Sequence, residues 1–184
     1  MKPINESSQI NKYLYNYNVA FKYKIISLDE LLGMDEYERA EHLLYKAIKL
    51  GRRLDPEYEE MIKLSPIHIY FYSNDVIKGR WEEAEPYIMK DSEYAYWYAR
   101  DIIKNRWLEA EPYILKNPVW TYWYIYEIIK DRWLEAEETI MKYPESAYWY
   151  AKDFIKGRWE EAEIYIKKDN YWWKKYCNHF RIKS

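Results

Sequence analysis

The strongest constraint on the fold is a repeat that never slips. Gly79-Arg80-Trp81, Asn105-Arg106-Trp107, Asp131-Arg132-Trp133 and Gly157-Arg158-Trp159 follow one another at intervals of 26 residues. Each Trp is followed at a fixed distance by Ala-Glu (Ala84-Glu85, Ala110-Glu111, Ala136-Glu137, Ala162-Glu163) and then by Ile88, Ile114, Ile140 or Ile166. Each is preceded by an aromatic triplet: Tyr70-Phe71-Tyr72, Tyr96-Trp97-Tyr98, Tyr122-Trp123-Tyr124 and Tyr148-Trp149-Tyr150. A fixed period of this length means one supersecondary unit per repeat, each burying its apolar face against its neighbours.

The unit carries its own punctuation. Ser65-Pro66, Asp91-Ser92, Asn117-Pro118, Pro144 and Asp169 place a capping side chain or a first-turn proline where a helix must start. We call this helix A. It is expected to stop at Gly79, Asn105, Asp131 and Gly157, residue types that tolerate the left-handed conformation ending a helix. Pro86 and Pro112 fit only a first turn, so helix B is expected to begin near Ala84 and Ala110 and to be about two turns long. Helices this short are marginal alone, so each hairpin depends on its neighbours.

Upstream, the pattern is degraded. Tyr37, Ala40, Glu41 and Leu44 match a B helix, Ala20, Tyr23, Ile25 and Ile26 the end of an A helix, and Ala47-Ile48-Lys49 with Gly51-Arg52 a second altered copy. Terminal repeats are atypical because one side faces water. The expected organisation is a frayed segment over 1–17, degenerate repeats over 18–65, four regular repeats over 66–169, and a capping helix over 170–184, where Lys174 and Lys175 replace aromatics. The fold class is all-α: an α-solenoid of tandem helical hairpins in one continuous array.

The run A-x-W-Y-A-x-D-x-I-K-G-R-W-x-E-A-E, cleanest from Ala147 to Glu163, resembles tandem arrays in bacteriophage and giant-virus proteins, most of them functionally unassigned. The resemblance is close over Pro66 to Asp169 and loose over Asn18 to Ser65. It implies a viral origin and a repeat architecture and supplies no catalytic residues. Tetratricopeptide and Sel1-like arrays are similar only as helical-hairpin folds.

Composition narrows the function. Tyr 23 and Trp 10 against Phe 4 favour rings that sit half buried with a polar atom satisfied. A net charge of −2, from 29 basic and 31 acidic side chains interleaved along the chain, leaves no global attraction to nucleic acid or anionic membrane. One cysteine, Cys177, excludes an intrachain disulfide and a cysteine-based zinc site. The polar start and the absence of a long apolar run argue for a cytoplasmic protein, in the host cell if the chain is viral. His42, His68 and His179 share no metal-ligand spacing, and four glycines leave no phosphate-binding loop, so no metal or cofactor is expected. Cys177 and His179, two apart on a helix, point in different directions.

Projected as a helix, the A segment places Tyr98, Ile102, Ala95, Ala99, Ile103 and Tyr96 in one core sector. Trp97 falls outside it with Glu93, Arg100, Lys104 and Asp101. Phe71, Trp123 and Trp149 are its equivalents, and Lys78, Lys130 and Lys156 stand seven residues beyond each. Stacked repeats would turn these into an aromatic and cationic ladder, read either as packing between repeats or as exposed anchors for a partner. The repeated Arg, Glu and Trp are read as scaffold. Phe71, Trp97, Arg100, Lys104, Trp123, Lys130, Trp149 and Lys156 are therefore the candidate partner-binding residues. The expected function is non-catalytic binding of a host protein, for example inhibition of a defence system by a phage product. The alternative is a single-stranded nucleic-acid or nucleotide binder, with bases stacked on the Trp row and lysines on phosphates, although Asp75, Asp101, Glu127 and Asp153 offset much of that charge. The oligomeric state is open.

Overall fold

The computed structural model describes residues 27–182. The chain divides into two compact units, Met1–Asp35 and Glu36–Ser184. The segments expected over 1–17 and at Ala20 to Ile26 lie outside the described residues. In the first unit, α1 (Leu28–Leu32) starts at Ser27, whose hydroxyl and backbone form a reciprocal capping box with Glu30.

In the second unit, as in the first, every regular element among the described residues is a helix. This unit opens with α2 (Glu36–Leu50), which buries Ala40, Leu43, Leu44 and Ala47 along one stripe, and α3 (Pro56–Ile62), with Pro56 in its first turn. Long helices, counted with the π-helical turns that continue α4, α6, α8 and α10, then alternate with short ones: α4 (Pro66–Phe71), α5 (Glu85–Ile88), α6 (Ser92–Tyr98), α7 (Glu111–Ile114), α8 (Pro118–Tyr124), α9 (Leu134–Met141), α10 (Pro144–Tyr150), α11 (Glu160–Ile166) and α12 (Asn170–Phe180). Each of α2, α4, α6, α8 and α10 packs on the next long helix, ending at α12, and the short helices bridge them. The starts are as the sequence indicates. Asp91, Asn117 and Asp169 each accept two backbone N–H groups of the following turn, and Pro66, Pro118 and Pro144 sit in first turns.

Three expectations need correction. First, Tyr37, Ala40, Glu41 and Leu44 lie in α2, a long helix and not a short one. The degenerate short helix is α3, and Arg53 takes the place expected for Arg52, pairing with Glu59 at 2.8 and 2.7 Å. Second, helix B begins late only where proline forces it. α5 and α7 start at Glu85 and Glu111, whereas α9 and α11, which lack proline at that place, start directly after Trp133 and Trp159.

Third, the long helices end one residue early and in an unusual way. α4, α6, α8 and α10 each run on into a π-helical turn: Tyr72–Ile77, Ala99–Ile103, Ile125–Ile129 and Ala151–Ile155. The left-handed residue is then Lys78, Lys104, Lys130 or Lys156, with φ of 58, 58, 59 and 57°. The Gly, Asn or Asp behind it is not left-handed. A wider turn closes on the lysine because its N–H reaches five residues back, as from Lys104 to Ala99 at 2.8 Å. The same widening moves the helical phase, so Ala95, Tyr96, Tyr98 and Ala99 are buried while Ile102 and Ile103 are only half buried.

One junction recurs between consecutive units. The hydroxyls of Tyr98, Tyr124, Tyr150 and Tyr176 accept the backbone N–H of Trp81, Trp107, Trp133 and Trp159 at 2.6, 2.7, 2.9 and 2.6 Å. Tyr98, Tyr124 and Tyr150 donate in turn to Glu85, Glu111 and Glu137. Those glutamates, and Glu163, are held by Arg80, Arg106, Arg132 and Arg158, bidentately in the first three cases. The first junction repeats the pattern with Leu54 in place of Trp: its N–H donates to Tyr72, whose hydroxyl donates to Glu59. Burial raises the pKa of these tyrosines, Tyr98 and Tyr176 to about 12, so the hydroxyl keeps the proton it donates. The Trp rings are the buried plugs, packed on the tyrosine of their own unit at 4.8 Å (Tyr72–Trp81) to 5.9 Å (Tyr124–Trp133).

Tyr124→Phe strands the Trp107 N–H in a buried place and is expected to cost about 1–3 kcal/mol by urea denaturation, while Tyr126→Phe, at an exposed ring, changes stability by less than about 0.5 kcal/mol. Gly79 has ordinary φ and open space around its missing Cβ. Gly79→Ala is therefore expected to stabilise by about 0.4–1 kcal/mol, whereas a left-handed Gly79 would make it destabilising, and a thermal melt separates the two.

Candidate interaction surface

Along the long helices a second ladder runs between units, from tyrosines two residues before the junction tyrosines. Tyr70 donates to Asp101, Tyr96 to Glu127 and Tyr122 to Asp153, each at 2.7 Å. The carboxylates that the sequence placed beside the lysines are thus committed to phenol hydroxyls of the preceding helix. Burial is the main cause that raises the pKa of Tyr96 and Tyr122, and the carboxylate they face adds to it. Asp75 heads this ladder. Its carboxyl is raised by burial and accepts from Asn74.

Phe71, Trp97, Trp123 and Trp149 are brought into one row, and all four are half buried. Trp97 and Trp149 pack on indoles of the following helix, whereas Trp123 meets rings of its own helix. Trp97 lies 6.1 Å from Trp120 and 6.4 Å from Tyr70. Trp149 lies 6.3 Å from Trp172, and Phe71 lies 5.2 Å from Tyr70. Trp123 meets Tyr126 of its own helix edge-on at 5.8 Å.

The cations over these rings are not the lysines seven residues on. Lys104, Lys130 and Lys156 are exposed left-handed residues at the helix ends, and no ring contact joins them to the Trp row among the described residues. Arg100 instead stacks 4.1 Å from the Trp97 centroid, and Lys152 lies 4.6 Å from Trp149. Both stand three residues after their Trp, one helical turn along the same face. Lys175 adds a third cation, 4.8 Å from Trp172 and 4.6 Å from Tyr171. Arg100 is the best anchored: its side chain is 15% exposed, it forks onto Asp101 at 2.7 Å through two nitrogens, and it reaches Glu127 at 3.5 Å.

Sequence reasoning missed Trp120, Tyr126, Phe154, Lys152, Trp172 and Lys175. A signal was present. Trp120 and Trp172 stand one repeat less one helical step after Trp97 and Trp149, the offset at which neighbouring helices meet.

Two further reactive side chains are buried. His68 is fully buried in α4, its Nδ1 2.7 Å from the Ser65 hydroxyl, and burial lowers its pKa to about 4. Cys177 is buried in α12 and burial pushes its thiol up. Among the described residues no group of His, Cys, Asp or Glu could hold a metal ion, and no helix is long and apolar enough to cross a membrane. Comparison with protein-family models, with curated proteins and with solved structures finds no match to the chain.

Arg100→Met leaves Asp101 and Glu127 without their cation and is expected to cost about 1–3 kcal/mol, whereas Lys104→Met at the exposed helix end stays within about 0.5 kcal/mol. Denaturation of the two variants side by side checks which cation belongs to the surface.

Proposed function

We propose that the chain is a non-catalytic binding protein, a short α-solenoid of helical hairpins whose row of aromatic and cationic side chains on the long helices docks a partner protein. One observation carries this reading. The repeated Arg, Glu, Tyr and Trp are consumed by contacts inside the molecule, while Trp97, Trp123 and Trp149 recur just as regularly and remain partly exposed. Trp, Tyr and Arg supply most of the binding energy at protein interfaces, and here they line one face in a fixed geometry. The succession of junctions from Leu54–Tyr72 to Trp159–Tyr176 supports the solenoid, since every unit is tied to the next by the same bonds.

The resemblance of the repeat to bacteriophage and giant-virus arrays supports a more specific form: a phage-encoded modulator of a host protein, acting in the host cytoplasm. Steric masking of that protein needs no active site.

Capture from host lysate with the tagged chain tests the reading, with Trp97→Ala, Trp123→Ala and Trp149→Ala made singly and checked for helicity. A specific partner is expected, with binding weakened by about 1–2 kcal/mol per substitution. A partner held equally by all three variants would overturn this assignment of the surface. Salt-dependent binding of oligonucleotides in place of any protein would move the function to single-stranded nucleic acid.

A further inference from the structure

The middle tryptophan of the row departs from its neighbours. Arg100 covers Trp97 and Lys152 covers Trp149, each from the position three residues on. After Trp123 that position holds Tyr126, whose ring is 48% exposed. Tyr126 meets Trp123 at 5.8 Å and 85°, and Phe154 of the next unit at 6.4 Å and 83°. Among the described residues no cation lies over Trp123, Tyr126 or Phe154. Ser146 stands where other units carry Tyr94, Trp120 and Trp172, so no indole from the following helix packs on Trp123 as Trp120 and Trp172 do on Trp97 and Trp149.

The carboxylates of the cation seat are nonetheless kept. Arg100 is held by Asp101 and reaches Glu127. One unit later the same two positions are Glu127 and Asp153. Glu127, with 28% of its side chain exposed, accepts Tyr96 and Arg100, and Asp153 accepts Tyr122. A carboxylate has lone pairs for more than these donors. The third unit therefore has the ring and the acids of the seat without a cation of its own.

We propose that the corner formed by Trp123, Tyr126 and Phe154 is a docking site for an arginine side chain of a partner protein. The inference rests on the protein-binding reading and names its anchoring contact. The chemistry of the occupant is taken from the flanking units, where the molecule fills the same seat itself. Arginine fits better than lysine because a planar guanidinium stacks on a ring while forking onto a carboxylate, which is how Arg100 sits on Trp97 and Asp101. A second copy of the chain is a poorer occupant, because the arginines repeated in every unit (Arg80, Arg106, Arg132 and Arg158) are engaged with their own glutamates.

The test uses the full chain labelled with fluorotryptophan and followed by fluorine NMR, with the Trp97, Trp123 and Trp149 resonances assigned by substitution. N-acetyl-arginine methylamide is the probe, and N-acetyl-glutamate methylamide and oligothymidylate are the controls. The Trp123 resonance is expected to shift saturably with the arginine probe, about 2–5-fold more than those of Trp97 and Trp149. It should not respond to the glutamate probe. Tyr126→Arg refills the seat and should abolish the response, and Lys152→Ala combined with Lys175→Ala removes both cations from Trp149 and should make that resonance respond. Equal shifts at all three tryptophans, a Trp123 response that survives Tyr126→Arg, or a response to oligothymidylate alone would overturn the proposal. If Tyr126→Arg does not fold, the Lys152→Ala, Lys175→Ala double variant decides, because a Trp149 freed of both cations that stays silent also overturns it. The two readings fail separately: a captured partner indifferent to Tyr126→Arg removes the seat and keeps protein binding, whereas arginine seated without any captured partner keeps the seat and removes that function.

Discussion

The structure depends on one phenol hydroxyl per unit. Tyr98, Tyr124 and Tyr150 each place the ring on the Trp that follows in the same unit, while the hydroxyl reaches back to the backbone N–H of the preceding Trp and to the glutamate beside it. The side chain thus satisfies a buried donor and a buried acceptor that belong to another unit. A nearly buried glutamate is tolerable only when its partners are complete, and the forked arginine supplies the rest. Short helices that would not hold alone are fixed because their first turn lies against this bonded set. Phenylalanine cannot do this, which accounts for a chain so rich in tyrosine and so poor in phenylalanine.

In the four regular units the π turns begin at the junction tyrosine or just after it. A long helix must bring one tyrosine to the preceding junction and another, two residues earlier, to a carboxylate of the following helix. Neighbouring positions diverge by about 100° on a helix. Widening the last turn lets the chain leave the helix at Lys78, Lys104, Lys130 or Lys156 with enough length to return to the next Arg-Trp. A left-handed lysine costs more than a left-handed glycine, and the glycine or asparagine beside it does not take the strain. α12 lacks the widened turn and is ordinary helix up to a left-handed Arg181.

Against so regular a background, irregularity carries information. The repeated Arg, Glu and junction Tyr and Trp are accounted for by bonds inside the molecule. Tyr126 and Ser146 break the pattern at the two positions that cover Trp97 and Trp149: the exposed Tyr126 three residues after Trp123, and the buried Ser146 on the next helix. That coincidence directs attention to the third unit more strongly than the exposure of any single ring does.

The 26-residue period, the helix starts at Asp91, Asn117 and Asp169, and the late short helices behind Pro86 and Pro112 were legible in the sequence, because each depends on local backbone chemistry. The scaffold character of Arg80, Glu85 and their repeats was also legible, since repetition implies a contact made in every unit. The position of the left-handed residue was not. Residue preference points to Gly79, whereas closing a π turn depends on where the neighbouring unit holds the tyrosine. Nor was the pairing of the surface cations: sequence spacing set Lys104 beside Trp97, but helix phase puts Arg100 there and the widened turn carries Lys104 away. The sequence by itself determined the unit and its punctuation, and only the tertiary structure decided which side chains meet between units, because those meetings depend on a phase that long-range hydrogen bonds impose on the helix.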